Sequence, residues 1–290
     1  MKKYQSFICL LMVALFSISC NTGDPKLSSK IPRVQYKRQP TIQTAFFGLD
    51  ELPLVSVLFT WDSPGKDGMP VVFSHEIDPE SLDAEDFEIV SKDGSTYDVD
   101  YATLRPASEE FELRTVLLIG ELGEYPSNPP QTVRIVGDLI TRTGQNYKGQ
   151  TIEVMPLEDG PVLSYAEYFT FDENYPHKES GPGCDCPVEG TSMVVRTVWS
   201  GGVRALDGEA PGEEELNRFK ILMLQDKDTV TVSPFAFGDL GDNDNNLDLC
   251  LSELGIPLEV QVEGNTTIDP RNDKNPPTIH EVIGRWDSFL

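Results

Sequence analysis

From residue 50 onward the apolar residues recur at about every second position, in short runs. Leu54-Val55-Ser56-Val57-Leu58-Phe59, Phe87-Glu88-Ile89-Val90, Thr115-Val116-Leu117-Leu118-Ile119 and Thr132-Val133-Arg134-Ile135-Val136 form a first set. Between them lie Pro64 to Gly68, Lys92-Asp93-Gly94-Ser95 and Pro126 to Pro130, all rich in turn formers. Successive side chains of a strand point to opposite faces, so this period predicts strands with one face on a core. A second block, residues 161–290, repeats the pattern over Ser192–Trp199, Phe219–Leu222, Thr229–Val232 and Leu258–Val262. Apolar spacing of 3.6 is missing from any long stretch. Only Glu213–Phe219 and Pro79–Asp83 suit a short helix or single turn. The fold class read from this is all-β, with two β-sandwich-like domains at residues 51–160 and 161–290. The second domain is expected to be a sandwich or jelly roll.

The N-terminus has a different pattern. Lys2 and Lys3 precede about a dozen mostly apolar residues from Phe7 to Cys20, the layout of a secretory signal. The run stops at Asn21. It is too short for a membrane span, which needs roughly 20 residues. Ser17-Ile18-Ser19-Cys20 resembles the lipobox of bacterial lipoproteins, with Ser17 where Leu is usual. That resemblance implies that residues 1–19 are removed and that Cys20 carries acyl chains anchoring the protein to the bacterial membrane. Several chains on one Cys give stable attachment where one would be marginal. Asn21 stands where many inner-membrane lipoproteins carry Asp, which favours the outer membrane or cell surface. Residues 20–50 read as the lipidated Cys and a flexible tether, punctuated by Pro25, Pro32 and Pro40.

Charge narrows the partners. The 290 residues hold 23 Lys and Arg against 48 Asp and Glu, a net charge of −25. Such a surplus repels phosphate backbones and excludes nucleic acid as a partner. Removing residues 1–19 takes Lys2 and Lys3 away and leaves −27. Residues 228–270 contain nine acids and no Lys or Arg, so the negative charge is concentrated rather than spread.

Within the first block, Val71-Val72-Phe73-Ser74 leads to Ile77-Asp78-Pro79, then Ser81-Leu82, Phe87 and the Gly94 turn. This order resembles bacterial Ig-like domains of surface proteins over about residues 53–156. The resemblance implies a spacer or adhesion module and transfers no catalytic residue.

The densest chemistry lies between Gly238 and Asp248, where Asp239, Asp242, Asp244, Asn246 and Asp248 crowd together. Such oxygens repel one another unless solvent or a hard cation neutralises them, and calcium takes about 6–8 oxygen ligands. An EF-hand is rejected: Leu247 stands where that loop needs Gly, and Leu249-Cys250-Leu251 reads as a strand. The remaining expectation is a loop-based calcium site between strands, with Asp269 and Asp273 as second-loop ligands. The plain alternative is a solvated turn whose Asp and Asn serve the backbone.

Cys9 leaves with the signal and Cys20 carries the lipid, so Cys184, Cys186 and Cys250 remain. In an oxidising exterior this implies one disulfide, from Cys250 to Cys184 or Cys186. A zinc set of His177 with those three Cys is the lesser alternative, its spacing matching no common zinc knuckle.

Enzyme signatures are missing: no G-x-S-x-G, P-loop, H-E-x-x-H or dinucleotide fingerprint occurs. His75 reads as a partly exposed turn residue, and Trp61, Trp199 and Trp286 as core or edge packing. The expected function is a lipid-anchored envelope protein that binds an envelope protein or glycan, or plays a structural part, with loop-bound calcium. The alternative is an exported hydrolase acting on glycans through a carboxylate pair, which 48 acids make impossible to single out in sequence.

Overall fold

In the computed structural model, which describes residues 38–285 except 59, 110 and 172–177, the chain is nearly all β and sandwich-like. The signal segment, Cys20, the tether to residue 37, His177 and Trp286 lie outside the described residues. The first half contributes β1 (Ile42–Phe46), β2 (Asp67–Phe73), β3 (Phe87–Ser91), β4 (Thr96–Asp98), β5 (Tyr101–Thr103), β6 (Thr115–Gly120), β7 (Pro130–Ile135) and β8 (Thr151–Met155). They join in the order β4-β3-β7-β8-β1-β2-β6-β5, antiparallel except for the parallel pair β1–β8. The sheet curls on itself, so Ala45, Val71, Val116 and Leu118 share one core with Ile89, Val133 and Ile135. Ile89 meets that core because its strand alternates buried and half-buried positions along Phe87–Ser91, as the sequence pattern requires.

Two expectations need correction here. The stretch read as tether to residue 50 ends earlier, because β1 is a core strand: Ala45, Phe46 and Phe47 are at most 1% exposed. The apolar run from Leu54 is no strand. Pro53 withholds a ladder donor at its entrance, and Leu54-Val55 and Val57-Leu58 are apolar doublets that leave no polar face. Residues Leu54–Leu58 instead form a 3-10 turn, turned inside out. Ser56 and Ser63 are fully buried, the Ser63 hydroxyl donating to the carbonyls of Ser56 and Thr60, while Leu54 and Trp61 are 82% and 83% exposed.

The second half holds β9 (Leu163–Thr170), β10 (Met193–Trp199), β11 (Arg204–Ala205), α1 (Glu213–Leu216), β12 (Phe219–Gln225), β13 (Asp228–Val232) and β14 (Ala236–Gly238). Next come β15 (Asn246–Leu251), β16 (Ile256–Val262), β17 (Thr267–Ile268), β18 (Thr278–Glu281) and β19 (Ile283–Gly284). One sheet runs β14-β15-β10-β9-β19 and the other β13-β12-β16-β18, with β11–β17 a separate pair. Between the two larger sheets lies a second core of Val195, Trp199, Leu247 and Leu249 against Phe219, Ile221 and Val260. Trp199 and Phe219 meet edge to face at 6.3 Å. Ring quadrupoles favour that arrangement.

Every position of β10 and β15 is buried, so this sheet is covered on both faces. Its second face meets the first half, and all described residues belong to one compact unit. Val72 of β2 packs there on Tyr165 and Val198. Strand register then sets Glu167, Arg196 and Asp248 side by side across β9, β10 and β15. The loop before β6 sends Glu112 and Arg114 to meet them. Arg114 Nη2 lies 3.1 Å and Arg285 Nε 2.9 Å from the Glu167 carboxylate, which is fully buried. Arg114 also lies flat over Tyr165, 4.0 Å from the ring centre, and Arg285 over Phe169 at 3.6 Å. Each cation meets the negative face of its ring. Burial pushes the Glu167 carboxyl up, yet the Arg114 and Arg285 guanidinia together hold it below its ordinary value. It is a charged group kept ionised inside the protein.

His75 is a third correction. It is 5% exposed, its backbone N–H donating to the Tyr147 hydroxyl and its Nδ1 lying 2.9 Å from Ser74 Oγ. Burial, then the charges of Arg114 and Arg38, lower its pKa to about 4 and keep the ring neutral. Among the described residues, no helix is long and apolar enough to cross a membrane.

Candidate cation site

The loop from β14 to β15 begins where Gly238 lets another segment come close: a Cβ there would lie 2.6 Å from the backbone nitrogen of Cys186. The segment 183–186 runs alongside, Gly183 N donating to the Leu240 carbonyl at 2.9 Å and Asp239 N to the Cys184 carbonyl. The disulfide joins Cys186 to Cys250 of β15, with Cα atoms 5.6 Å apart, and fixes that segment to the sheet. Cys184 is free and half-buried. A zinc set would need the sulfurs of Cys186 and Cys250 as thiolates, and the disulfide takes both.

Asp239 and Asn243 turn the loop with φ of 60° and 64°. This is the left-handed conformation that Asp and Asn tolerate best after Gly. Asn245 pins the loop between the halves, its Nδ2 donating to the Trp199 carbonyl at 2.6 Å and lying 3.1 Å from Thr115 Oγ1. Asp242 Oδ1 accepts from the Asp244 N–H, and both oxygens of Asp244 accept from Asn246. These short loop bonds fix the carboxylates of Asp242 and Asp244.

Among the described residues, two groups of acids bring one oxygen each within 4.8 Å of the others. The first is Asp239, Asp242 and Asp244. The second is Glu109, Glu112 and Asp239, and so draws two members from the first half of the chain. Asp239 Oδ2, Glu112 Oε2 and Asn246 Oδ1 are buried without a hydrogen-bond partner. Leaving such an oxygen unsatisfied costs about 1–3 kcal/mol, more when it is charged.

Asp248 belongs to neither group, because Arg196 Nε and Nη2 hold its two oxygens at 2.7 and 2.9 Å. Asp269 and Asp273 belong to neither as well. Asp269 closes its own turn, accepting from the N–H groups of Arg271 and Asp273, and Asp273 pairs with Arg271 at 3.6 Å. Sequence reasoning missed Glu109 and Glu112, whose one local signal is the acid-rich Glu109-Glu110-Phe111-Glu112 just before β6.

The electrostatics follow from burial and crowding. Burial first, then Asp248, Glu112 and Asp242, push Asp239 up to about 9 against the pull of Arg196. Burial and the neighbouring Asp244, Asp248 and Glu109 push Glu112 up to about 8, again against Arg196. Asp244 is raised well above its ordinary value by burial and by Asp239 and Asp242. These three acids are at most 5% exposed.

No protein-family model matches the chain, and no curated protein matches it. Among solved structures, the chain is similar at 12% identity to the N-terminal part of the bacterial S-layer protein SbsC, over 84% of its own length and 44% of that chain, with a TM-score of 0.29. The S-layer protein rSbsC(31-844) aligns at 11% identity over 85% of this chain and 26% of its own, also with a TM-score of 0.29. The chain therefore spans less than half the length of either.

Proposed function

We propose that this is a lipid-anchored envelope protein with a binding or structural role, whose loop between β14 and β15 holds calcium. The observation that carries the cation is the convergence of Asp239, Asp242 and Asp244, with a buried Asp239 oxygen that no protein donor satisfies. A divalent ion with oxygen preference neutralises such a group without demanding regular geometry. The anchor rests on the lipobox-like Ser17-Ile18-Ser19-Cys20, and the spacer or adhesion role on the Ig-like pattern from Val71 to Gly94. On this reading the ion stiffens a surface module that a tether holds off the membrane.

The test is the melting temperature of the chain from residue 21, in calcium and in chelator. An ion that binds only the folded state raises stability by mass action, by about 2.7 kcal/mol at a hundred times its Kd. An unchanged melting temperature at millimolar calcium contradicts the cation. Detergent-phase partition of the full chain that is lost in Cys20→Ser checks the anchor.

A further inference from the structure

We infer that Glu109, Glu112 and Asp239 form a calcium-binding position that spans the seam between the two halves, so that the ion couples them. This inference rests on the cation reading above and extends it to residues of the other half.

Three observations converge. Oxygens of one calcium shell, each about 2.3–2.6 Å from the ion, lie no more than about 5 Å apart. These three carboxylates already fall within 4.8 Å of one another. Glu112 and Asp239 are 1% and 4% exposed, and each keeps one buried carboxylate oxygen, Glu112 Oε2 and Asp239 Oδ2, without a hydrogen-bond partner. Glu109 is exposed and gives the ion a way in. Glycine supports the same geometry: a Cβ on Gly183 would stand 2.9 Å from Glu109 Oε1 and 3.1 Å from Asp242 Oδ2, so the residue that borders both triads has no side chain.

Charge points the same way. Of the acids Glu109, Glu112, Asp239, Asp242, Asp244 and Asp248, the buried Arg196 engages Asp248 at 2.7 and 2.9 Å and Glu112 Oε1 at 3.0 Å. Lys178 lies 4.0 Å from Glu109, but both side chains are about half exposed. Water screens that pair and leaves the buried oxygens without a donor. The ligand atoms are all carboxylate oxygens, a set suited to a hard cation. Magnesium demands near-ideal octahedral geometry, whereas calcium accepts an irregular set completed by water. Glu112 comes from the loop before β6 and Asp239 from the end of β14, so one ion between them ties the first core to the second.

The experiment uses the chain from residue 21, which keeps all the described residues, 38–285. Calcium affinity is read by competition with a chromophoric chelator. Amide exchange of residues 105–115 and 239–246 is followed with and without calcium. Glu109→Gln, an exposed substitution that leaves folding intact, is expected to weaken calcium binding at least tenfold, as is Glu112→Gln. In the parent chain calcium slows exchange in both segments, and Glu109→Gln removes the effect from residues 105–115. If Glu109→Gln binds calcium as the parent does and protection stays within 239–246, the bridging role is overturned while the loop site stands. The bridging role falls in the same way if only Asp242→Asn weakens binding. If the parent binds no calcium at all, both readings fall together.

Discussion

The buried ion network gives the sharpest stability prediction. Glu167→Gln keeps the side-chain length but removes the charge that faces Arg114 and Arg285, each 1% exposed. Breaking a buried pair by removing one partner costs about 3–5 kcal/mol, since the remaining charge has lost its compensation in a poor solvent. Here one carboxylate serves two guanidinia at 3.1 and 2.9 Å, which places the loss at the upper end. The stacking of Arg114 on Tyr165 and of Arg285 on Phe169 survives the substitution, so the effect isolates the charge. At about 2–4 °C per kcal/mol for a unit of this size, a loss of about 5 kcal/mol lowers the melting temperature by roughly 10–20 °C. Thermal unfolding by circular dichroism reads it, with Arg134→Gln as control. The Arg134–Glu88 pair is 47% and 32% exposed. Loss of such a surface pair costs at most about 1 kcal/mol. Equal shifts for the two variants would refute the claim that the seam depends on this charge network.

Three further outcomes follow from single features. His75 has a folded pKa of about 4 against 6.5 when free, so the folded state resists a proton that the unfolded chain accepts. Stability contributed by neutral His75 is present above pH 6.5 and lost as pH falls toward 4, by about 3 kcal/mol at about 1.36 kcal/mol per pH unit; unfolding free energies of parent and His75→Gln from urea titration at pH 7 and 4.5 should converge by up to that amount. The Cys186–Cys250 disulfide spans a sequence separation of 64. The double variant Cys186→Ala with Cys250→Ala therefore loses about 2–5 kcal/mol, read by chemical denaturation. Leu58 and Trp61 are 68% and 83% exposed. Leu58→Asp and Trp61→Ser shift stability in the same assay by no more than about 0.5 kcal/mol, whereas Ser63→Ala, which takes the hydroxyl donor from the Ser56 carbonyl, costs about 1–3 kcal/mol.

What the sequence made legible was whatever depends on local pattern. β10 and β15 stand out because Val194-Val195 and Leu249-Cys250-Leu251 are apolar on both faces, as a doubly covered sheet requires. β9 did not stand out, because Glu167 interrupts Leu163–Thr170, and only the distant Arg114 and Arg285 make a buried carboxylate tolerable there. β1 was hidden in the tether by the polar Gln43 and Thr44, its membership of the sheet set by the neighbours β2 and β8. The cation site divides along the same line. Asp239, Asp242 and Asp244 are close in sequence and converge through loop geometry, whereas Glu109 and Glu112, far earlier in the chain, arrive through the packing of two cores. Asp248 has the same local signal as its neighbours, yet strand register hands it to Arg196.

Calorimetric titration of calcium into chelator-treated chain at pH 7, in buffers of different ionisation enthalpy, tests whether the acidic cluster holds a divalent cation. Burial and the neighbouring acids raise the Glu112 and Asp239 carboxyls well above their ordinary value, which favours their protonated forms, and an incoming ion displaces such protons. Saturable binding below millimolar calcium, with one or more protons released, is the expected result. Absence of both binding heat and proton release at millimolar calcium would contradict it.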